Sequence, residues 1–280
     1  KGTDHLGSDF VDALRARMIT RELGAQTMSG LQGDVQIPAL NAKTTVYWVA
    51  EDGAPTEGAP TFRQITMSPK TVASYIDISR LLMLQSDPSV EGVVRNDIVN
   101  QIAQGVDTVA INGGGSNEPS GVLQASGVGD VAIGTNGGAP TWAKIVEVFQ
   151  TQDTSNALFG NLAWATTPQA RGKMMQVAKV GSSDSVMIVN DPNDLLGYRL
   201  VASTNVPSTL TKGSTSGSCS ALIFGNWSEL FIGEWGSLDV LVNPYTLSTT
   251  GQTRLSFFYD VDVMVRHAES FTAIQDMTTT

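Results

Sequence analysis

The sequence predicts a mixed α+β fold, and three observations lead to that assignment. A single apolar stripe recurs at intervals of three and four residues from Val90 to Val109, which is typical of a long amphipathic helix. Residues 253–266 alternate apolar and polar side chains, as in a long strand with one buried face. Short helical and extended patterns alternate between Thr141 and Thr246, as in a domain that packs helices on a sheet.

Composition limits the class of protein. The chain has 280 residues, 41% of them hydrophobic and 16% charged, which is enough to bury one large core or two modest ones and excludes global disorder. With 27 acidic and 17 basic residues the net charge is −10, which excludes a protein that wraps duplex nucleic acid by neutralising phosphates. Without a long apolar run or a secretory signal pattern, we expect a soluble, cytoplasmic product.

The N-terminal region predicts a helix followed by an extended arm. Apolar residues recur at helical spacing between Ser8, a suitable cap, and Gly24, a suitable stop, so we predict one short amphipathic helix between them. Glycine and proline interrupt the next stretch, 28–42. This composition favours an extended arm that lies on a neighbouring surface.

Residues 44–78 predict a long β-hairpin with a protruding acidic tip. Thr44–Ala50 and Lys70–Ile78 are rich in β-branched and aromatic residues, so each is predicted as a strand. The intervening stretch Glu51–Pro60 holds three acidic residues and several glycines and prolines, which excludes a buried element. We therefore expect the two strands to pair with each other and the tip to be exposed.

The strand aromatics are expected to lie in the core. Aromatic residues can line a ligand or carbohydrate cleft, but core packing is the commoner role on strands. Among those considered, Trp227 is the exception that does not clearly fit a strand pattern. The expectation covers four residues: Tyr47, Trp48, Trp235 and Tyr245.

The helix after the hairpin has the strongest signal in the chain, and we call it the spine helix. Asp87 and Pro88 form a helix start, and roughly 24 residues at about 1.5 Å each give a length of about 36 Å. Its single apolar stripe predicts packing across a sheet or hairpin. The stripe comprises Val90, Val94, Ile98, Ile102, Val106 and Val109. Gly113–Gly115 follow the helix rather than precede one, so they indicate a termination loop and not a phosphate-binding loop.

Helices and strands alternate through the region that follows. Helices are predicted at Ile145–Phe149 and after Thr167–Pro168. Strands are predicted at 162–166, 186–189, 199–203, 221–225, 230–232 and 238–242. The long strand at 253–266 is expected to pack with the spine helix and the early hairpin, so the mixed region is interpreted as an insertion in the first domain.

No catalytic, cofactor or metal site is predicted. His5 and His267 lie far apart without the spacing of a zinc or iron site. Cys219 is the only cysteine, which excludes an intrachain disulfide and leaves a thiol without an evident base. The stretch Ser208–Ser220 lacks a nucleophile elbow and is interpreted as a flexible loop. Five carboxylates are expected on exposed turns rather than in catalytic pairs: Asp184, Asp191, Asp194, Glu229 and Glu234.

The arm, the acidic tip and the one-sided spine helix are poorly explained in a lone monomer. Ordering an extended arm costs conformational entropy, which contacts with a partner can offset. These features favour an assembling subunit.

The order of the elements resembles that of tailed-bacteriophage major capsid proteins. The spine helix is followed by the turn Ile-Asn-Gly-Gly-Gly-Ser-Asn-Glu-Pro-Ser-Gly-Val-Leu at 111–123, and further similarities lie at Leu196–Leu200 and Phe224–Ser228. The resemblance runs from about Ser8 to Ile274 and depends on the order and spacing of the motifs. It implies a structural protein and not an enzyme.

The resemblance implies a phage-capsid-type α+β fold with four parts. They are an N-terminal arm (1–35), an E-loop hairpin (46–78), a P-domain with the spine helix (81–123 and 246–280) and an inserted mixed α/β A-domain (127–245). Copies of such a chain form hexamers and pentamers of an icosahedral-type shell around double-stranded viral DNA. The shell assembles in the host cytoplasm and belongs to the virion. Protease removal of an N-terminal scaffolding segment would account for a first residue Lys1.

Implied partners are other copies of the chain, packaged DNA through weak interior contacts, and portal, scaffold, protease and decoration proteins; neither a membrane nor a cofactor is implied. The acidic tip is expected to contact basic residues of a neighbour. The residues predicted to make contacts between subunits are Glu51, Asp52, Glu57, Arg63, Arg15, Arg17, Arg21, Arg80 and Arg95.

Some relatives join subunits by an isopeptide bond between an E-loop lysine and a P-domain asparagine, assisted by a glutamate. Here the tip from Glu51 to Phe62 has no lysine, and Arg254 and Val261 fall where the asparagine and glutamate would be. No autocatalytic cross-link is therefore expected.

Two alternatives stay open on the sequence. An encapsulin-type nanocompartment is similar in fold but encloses protein cargo, and DNA content would separate it from a virus shell. A soluble hydrolase using the Ser208–Ser220 region would be a monomer that turns over esters.

Overall fold

The computed structural model describes residues 15–42, 44–54, 56–80, 89–181 and 186–279. Within them the helices are α1 (Thr20–Leu23), α2 (Ser89–Asn112), α3 (Trp142–Thr154) and α4 (Pro168–Met174). The strands are β1 (Gln26–Ser29), β2 (Val35–Ala42), β3 (Thr61–Met67), β4 (Lys70–Ser79), β5 (Gly129–Asp130), β6 (Leu162–Thr166), β7 (Asp194–Leu195), β8 (Tyr198–Ala202), β9 (Leu210–Lys212), β10 (Thr215–Asn226), β11 (Leu230–Asn243), β12 (Gln252–Val265) and β13 (Phe271–Thr278). Short 3-10 turns lie at Val122–Gln124, Trp227–Glu229, Ser248–Thr250 and Ala268–Ser270.

The predicted spine helix is confirmed as α2, and it packs on a four-stranded sheet. The strand order is β1-β11-β12-β4, with β1 parallel to β11 and the other pairs antiparallel. The helix places Ile98 and Ile102 against Ile78, Leu255 and Phe257 of the sheet. Alternation along β12 therefore buries one face under the helix, as the period-two pattern predicted.

The second sheet is larger and has helices on both faces. Its order is β5-β13-β10-β6-β8-β7, and β9 pairs with β10. Side chains of α3 and α4, including Ile145, Val148 and Met174, pack on one face around Trp164 and Phe224. The other face is covered by α1, the end of α2 and the 3-10 turn at Val122–Gln124. This sheet and the helices and turns packed on it hold most of the fully buried side chains of the described chain.

Several predictions for the mixed region are confirmed and others are wrong. Helices α3 and α4 and strands β6, β8 and β10 lie where the patterns placed them. Residues 186–189 form only a bridge between Met187 and Ala178. The two strands predicted at 230–232 and 238–242 are one strand, β11, with a register shift between Trp235 and Asp239. Ser208–Ser220 is not a flexible loop, because β9 and the start of β10 pair there.

The hairpin exists, but its pairing differs from the prediction. Strand β3 pairs antiparallel with β2, from Val35 opposite Met67 to Ala42 opposite Thr61. Strand β4 pairs with β12 instead. Thr44–Ala50 was predicted as a strand and is not assigned to one. The hairpin therefore spans 35–67, and Thr44–Ala50 lies in its tip rather than opposite β4.

The predicted N-terminal helix is shorter than expected. Residues 8–14 lie outside the described part of the chain, and residues 15–19 are not helical. The helix begins at Thr20 and stops at Gly24, as the glycine predicted. Gly24 has φ +113°, a left-handed conformation that glycine adopts without steric cost.

The two sheets interleave along the chain. Strand β11 lies within the predicted A-domain range but pairs with β12 in the four-stranded sheet. Strand β13 lies within the predicted P-domain range but pairs with β10 in the large sheet. The chain thus crosses between the sheets at residues 226–230 and again at 265–271. The predicted domain boundaries stay a prediction.

Candidate functional site

The hairpin tip, residues 44–54 and 56–60, presents apolar side chains to solvent. Trp48 is fully exposed, Val46 is 82% exposed, and Tyr47 and Val49 are each about half exposed. Phe62 at the base of the tip is 74% exposed. Large contiguous apolar patches on soluble proteins mark contact surfaces. The tip is therefore the main candidate for a surface that contacts another molecule.

The core assignment of the aromatic residues is wrong for three of the four that it covered. Tyr47, Trp48 and Tyr245 are exposed, while Trp235 is half-buried and donates a hydrogen bond to the Gly33 carbonyl at 2.7 Å. Trp227, the exception in the sequence pattern, is fully buried. Tyr47 and Trp48 belong to a segment that has the composition of a strand but is not assigned to one. Tyr245 lies just beyond the end of β11.

The acidic residues of the tip are exposed beside the apolar ones. Glu51, Asp52 and Glu57 make no ion pair with any residue in the described ranges. The Gly53 N–H donates to the Ala50 carbonyl at 2.9 Å and closes a turn around the acids. The tip thus combines an apolar strip with uncompensated negative charge, which suits a partner with basic residues around an apolar surface.

The predicted basic contacts have several partners within their own chain. Arg15 pairs with Asp97, Arg17 pairs with Glu22 at 3.1 Å, and Arg21 pairs with Glu234. The structure therefore does not bring these arginines to the tip within one chain. Their predicted contacts with a neighbour stay a prediction.

The remaining predicted basic residues are spread over the surface. Arg63 on β3 donates to the Arg266 carbonyl at 3.4 Å. Arg80 is exposed directly after β4, and its backbone N–H donates to the Gly251 carbonyl at 3.1 Å. Arg95 is exposed on the spine helix.

A buried carboxylate joins the arm to the spine helix. Asp107 is 1% exposed and accepts hydrogen bonds from the N–H of Thr20 at 2.8 Å and of Ile19 at 3.1 Å. It also accepts from the Thr20 hydroxyl and from the Asn205 amide at 2.6 Å. Because unsatisfied N–H groups cluster where a helix begins, this carboxylate fixes the start of α1 at Thr20. One residue thus connects the arm, the spine helix and the loop after β8.

Sequence reasoning missed Asp107, although a signal was present. Ala103, Asp107, Ala110 and Ile111 form a second line along the helix, beside the apolar stripe, and Ala110 and Ile111 are fully buried. An acid on a line of small and apolar residues indicates a buried carboxylate with hydrogen-bond donors around it.

A second buried carboxylate holds the two crossings between the sheets together. Glu229 is 2% exposed, accepts two hydrogen bonds from Arg266 at 2.7 and 2.6 Å, and lies 2.8 Å from His267 Nδ1. Burial alone would raise the pKa of Glu229, but the hydrogen bonds from Arg266 and His267 together hold it below its ordinary value. The expectation of an exposed turn is wrong for Glu229, and also for Glu234, which lies within β11 and pairs with Arg21.

The glycine-rich turn after the spine helix is a termination loop, as predicted. The Gly113 N–H donates to Val109, and the Gly121 N–H donates back to the Gly113 carbonyl at 3.0 Å. A side chain at Gly121 would lie within 2.6 Å of the Gly113 and Asn112 nitrogens. The glycine is required there because two backbone segments approach closely.

A cleft of about 310 Å³ lies between the spine helix, the arm and strands β11 and β12. Its walls are mostly apolar, and Tyr259 lies among the polar groups. Burial, followed by a hydrogen bond with Glu234, raises the pKa of Tyr259, so the phenol stays neutral. The lining residues are Met18, Thr20, Arg21, Val99, Ile102, Ala103, Val106, Asp107, Ile232, Glu234, Leu238 and Tyr259.

Among the residues that the structure describes, the candidate chemical groups are not assembled into a reactive site. Cys219 is buried, and burial, followed by the nearby charge of Asp276, raises the pKa of its thiol. Within the described ranges no three histidine, cysteine or acidic side chains are arranged to hold a metal ion. Of the residues singled out for chemistry, His5 and Asp184 lie outside the described part of the chain. No described helix is both long and apolar enough to cross a membrane.

The positions expected for a cross-link carry other contacts. Arg254 donates two hydrogen bonds to Asp77, at 2.7 and 2.9 Å, and its guanidinium lies 4.4 Å from the centre of the Tyr75 ring. The Asp77 pKa is lowered, chiefly by the hydrogen bond from Arg254. Val261 is buried. Neither position supplies an amide or a carboxyl group for an isopeptide bond.

The chain is similar to known proteins over nearly its whole length. A family model described as the phage capsid family matches residues 4–276. Two curated relatives, both called major capsid protein, are from Halomonas phage phiHAP-1 (29% identical over 270 residues, 96% of this chain) and Klebsiella oxytoca phage phiKO2 (21% over 255 residues, 84% of this chain). The chain spans 42% and 56% of the lengths of these relatives. The solved capsid of a native GTA particle superposes with a TM-score of 0.78 at 18% identity, covering 99% of this chain and 96% of that one.

Proposed function

The chain belongs to the phage capsid family, and on that premise we propose that it is the shell-forming part of a phage major capsid protein. The observation that carries the proposal is the hairpin tip. Trp48 is fully exposed and the tip acids form no ion pair with a described residue, whereas burying an aromatic side chain of this size contributes roughly 2–3 kcal/mol. In an assembly of identical chains, a second copy supplies a surface that can cover these exposed side chains. The role is structural, as in the relatives called major capsid protein.

In this proposal, copies of the chain form hexamers and pentamers of a closed shell around double-stranded DNA in the virion. The net charge of −10 supports weak rather than extensive contacts with the packaged DNA. Removal of an N-terminal scaffolding segment, and contacts with portal, protease and decoration proteins, belong to the proposal as well. The stretch Glu51–Phe62 has no lysine, and position 254 is an arginine bound to Asp77, so we expect non-covalent contacts to hold the shell together.

Negative-stain electron microscopy combined with light scattering on the purified full-length protein tests the proposal. Rings of five and six subunits or closed shells are the expected result. A monodisperse monomer that persists across salt and crowding conditions would overturn it. Nucleic acid in purified native particles is expected as well, whereas shells that hold only protein cargo would identify a nanocompartment instead.

A further inference from the structure

The cleft between the spine helix, the arm and strands β11 and β12 has the size and lining of a ligand site. Its volume of about 310 Å³ falls within the range of roughly 300–1,000 Å³ that is typical of pockets for small organic molecules. Met18 and Val99 line it and are 38% and 43% exposed, although both side chains are apolar. The cleft therefore leaves apolar surface in contact with water, and covering that surface is favourable for an apolar ligand.

Two local features leave the space open. On the spine helix, the cleft is lined by Ala103, whose side chain is a single methyl group. On the sheet, β11 shifts its register against β12 between Trp235 and Asp239, and Leu238 within that stretch also lines the cleft. A small side chain opposite an irregular strand leaves a gap that regular helix-on-sheet packing fills.

Polar groups converge in the same cleft. Glu234 forms an ion pair with Arg21 and a hydrogen bond with the Tyr259 phenol. A carboxylate has about four acceptor positions on its two oxygens, so these two partners leave Glu234 able to accept a further hydrogen bond. The cleft thus combines apolar walls with an acceptor for an N–H group of a ligand.

The charges of the lining select the sign of the ligand. Among the described residues that line the cleft, Arg21 is basic, and Glu234 and Asp107 are acidic. Asp107 is buried, and its hydrogen bonds come from the neutral groups of Ile19, Thr20 and Asn205. One net negative charge therefore remains beside apolar walls, where the local dielectric constant is low. This field attracts a cation and repels an anion.

We propose that the cleft binds a small organic ammonium ion, which is a compact apolar body that carries one protonated amine. The apolar body contacts the walls around Val99 and Ala103, and the ammonium group donates to Glu234. Met18 and Arg21 belong to the arm, whereas the other walls belong to the spine helix and the sheet. A bound ligand therefore holds the arm against the spine helix of the same chain.

Calorimetric titration with three probes of one shape tests the ligand class. Adamantylamine, adamantanol and adamantane carboxylate share a rigid apolar body and differ in the charge of their polar group. For the purified full-length protein before assembly, we expect a dissociation constant of about 0.1 mM for the amine, about tenfold weaker binding of the alcohol, and no detectable binding of the carboxylate. Absence of amine binding, or equal affinity for the amine and the alcohol, would overturn the proposal.

Two variants place the probe in the cleft. Ala103→Leu fills the space and should weaken binding of the amine at least about tenfold, whereas the matched Gln101→Leu variant adds the same side chain at an exposed helix position outside the lining and should bind as the wild type does. Glu234→Gln should lower the affinity for the amine to that for the alcohol and leave the alcohol unaffected. Wild-type binding of the amine by both Ala103→Leu and Glu234→Gln would exclude this cleft.

Limited trypsin digestion tests the effect on the arm. If cleavage at Arg21 requires release of the arm, adamantylamine at ten times its dissociation constant should slow that cleavage about tenfold. Cleavage at Arg63, on β3 and outside the lining, serves as the internal control. An unchanged ratio of the two cleavage rates would overturn the link between ligand and arm. All of these measurements use unassembled protein, so their failure is distinguishable from a failure of the proposed shell function.

Discussion

Two tryptophans show how differently the two regions of this molecule are built. Trp227 lies fully buried beside the large sheet, donates a hydrogen bond to the Ala163 carbonyl at 3.1 Å, and packs edge-on against Phe271. Trp48 lies in the hairpin tip and is fully exposed. The first satisfies its packing and its polar atom within one chain. The second has no described packing partner, so the chain divides into a self-sufficient core and a tip that is open to solvent.

Replacing each tryptophan by alanine should give the largest difference in effect between the two regions. We expect Trp227→Ala to lower the free energy of unfolding by about 4 kcal/mol, because a large cavity forms and a buried carbonyl loses its donor. Trp48→Ala is expected to change stability by less than about 0.5 kcal/mol while weakening assembly. Urea denaturation of the subunit and light scattering of assembly measure the two effects. Similar stability losses in both variants would show that Trp48, like Trp227, contributes to the folding of the single chain.

The contact between arm and spine helix can be broken at Asp107. Asp107→Asn should lower the free energy of unfolding by about 2 kcal/mol, because an amide cannot accept every hydrogen bond that the carboxylate accepts. Trypsin should also cleave faster at Arg17 and Arg21, where the arm is released. The matched control is Asp97→Asn, which removes the carboxylate paired with Arg15 on the helix surface and should cost at most about 1 kcal/mol. Equal effects of the two variants would mean that Asp107 does not hold the arm.

The contribution of Glu229 to the free energy of unfolding should depend on pH. Its pKa is held below the ordinary value, so its contribution to stability is complete above the ordinary glutamate pKa of about 4.3 and is lost as pH falls through the lowered value. Glu229→Gln should cost about 1.5 kcal/mol at neutral pH. The difference from wild type should shrink in denaturation experiments at successively lower pH values. A constant difference throughout would argue against an ionised Glu229.

The smallest expected effect concerns the charges of the tip. Replacing Glu51, Asp52 and Glu57 together by alanine should leave subunit stability unchanged and slow assembly about threefold, with a weaker salt dependence, because exposed charges act mainly on the association rate. The control replaces three exposed acids elsewhere, Glu147, Asp153 and Asp194, by alanine. Stopped-flow light scattering measures the assembly rates of the two triple variants and of the wild type. Identical assembly kinetics for both triple variants would show that the tip charges do not affect the rate of assembly.

The elements that could be predicted from the sequence are those whose pattern reports a single packed face. The spine helix and β12 each present one apolar side to the other, and their periodicities gave the element type and nearly the right bounds. Strand partners could not be predicted in the same way. Lys70–Ile78 has the composition of a hairpin strand, yet its partner, β12, lies about 180 residues further along the chain. Composition indicates that a strand exists, but not which distant strand it pairs with.

The candidate site was predictable in position but not in chemistry. Glycine and proline around Glu51 correctly indicated an exposed tip, whereas Trp48 was assigned to the core because strand composition normally implies burial. Asp107 and Glu229 were missed or misplaced because each is buried by donors from distant parts of the chain, Thr20 and Asn205 for the first and Arg266 for the second. Such partners are defined only by the folded topology.

Strand β13 also has a consequence for biosynthesis. It lies between β5 and β10 inside the large sheet, and its residues leave the ribosome after all the other strands described here. A nascent chain that stops before Phe271 leaves the Cys219–Gly225 edge of β10 unpaired and removes the ring that packs on Trp227. The large sheet therefore closes only after β13 has been synthesised, so products truncated before Phe271 lack a finished core.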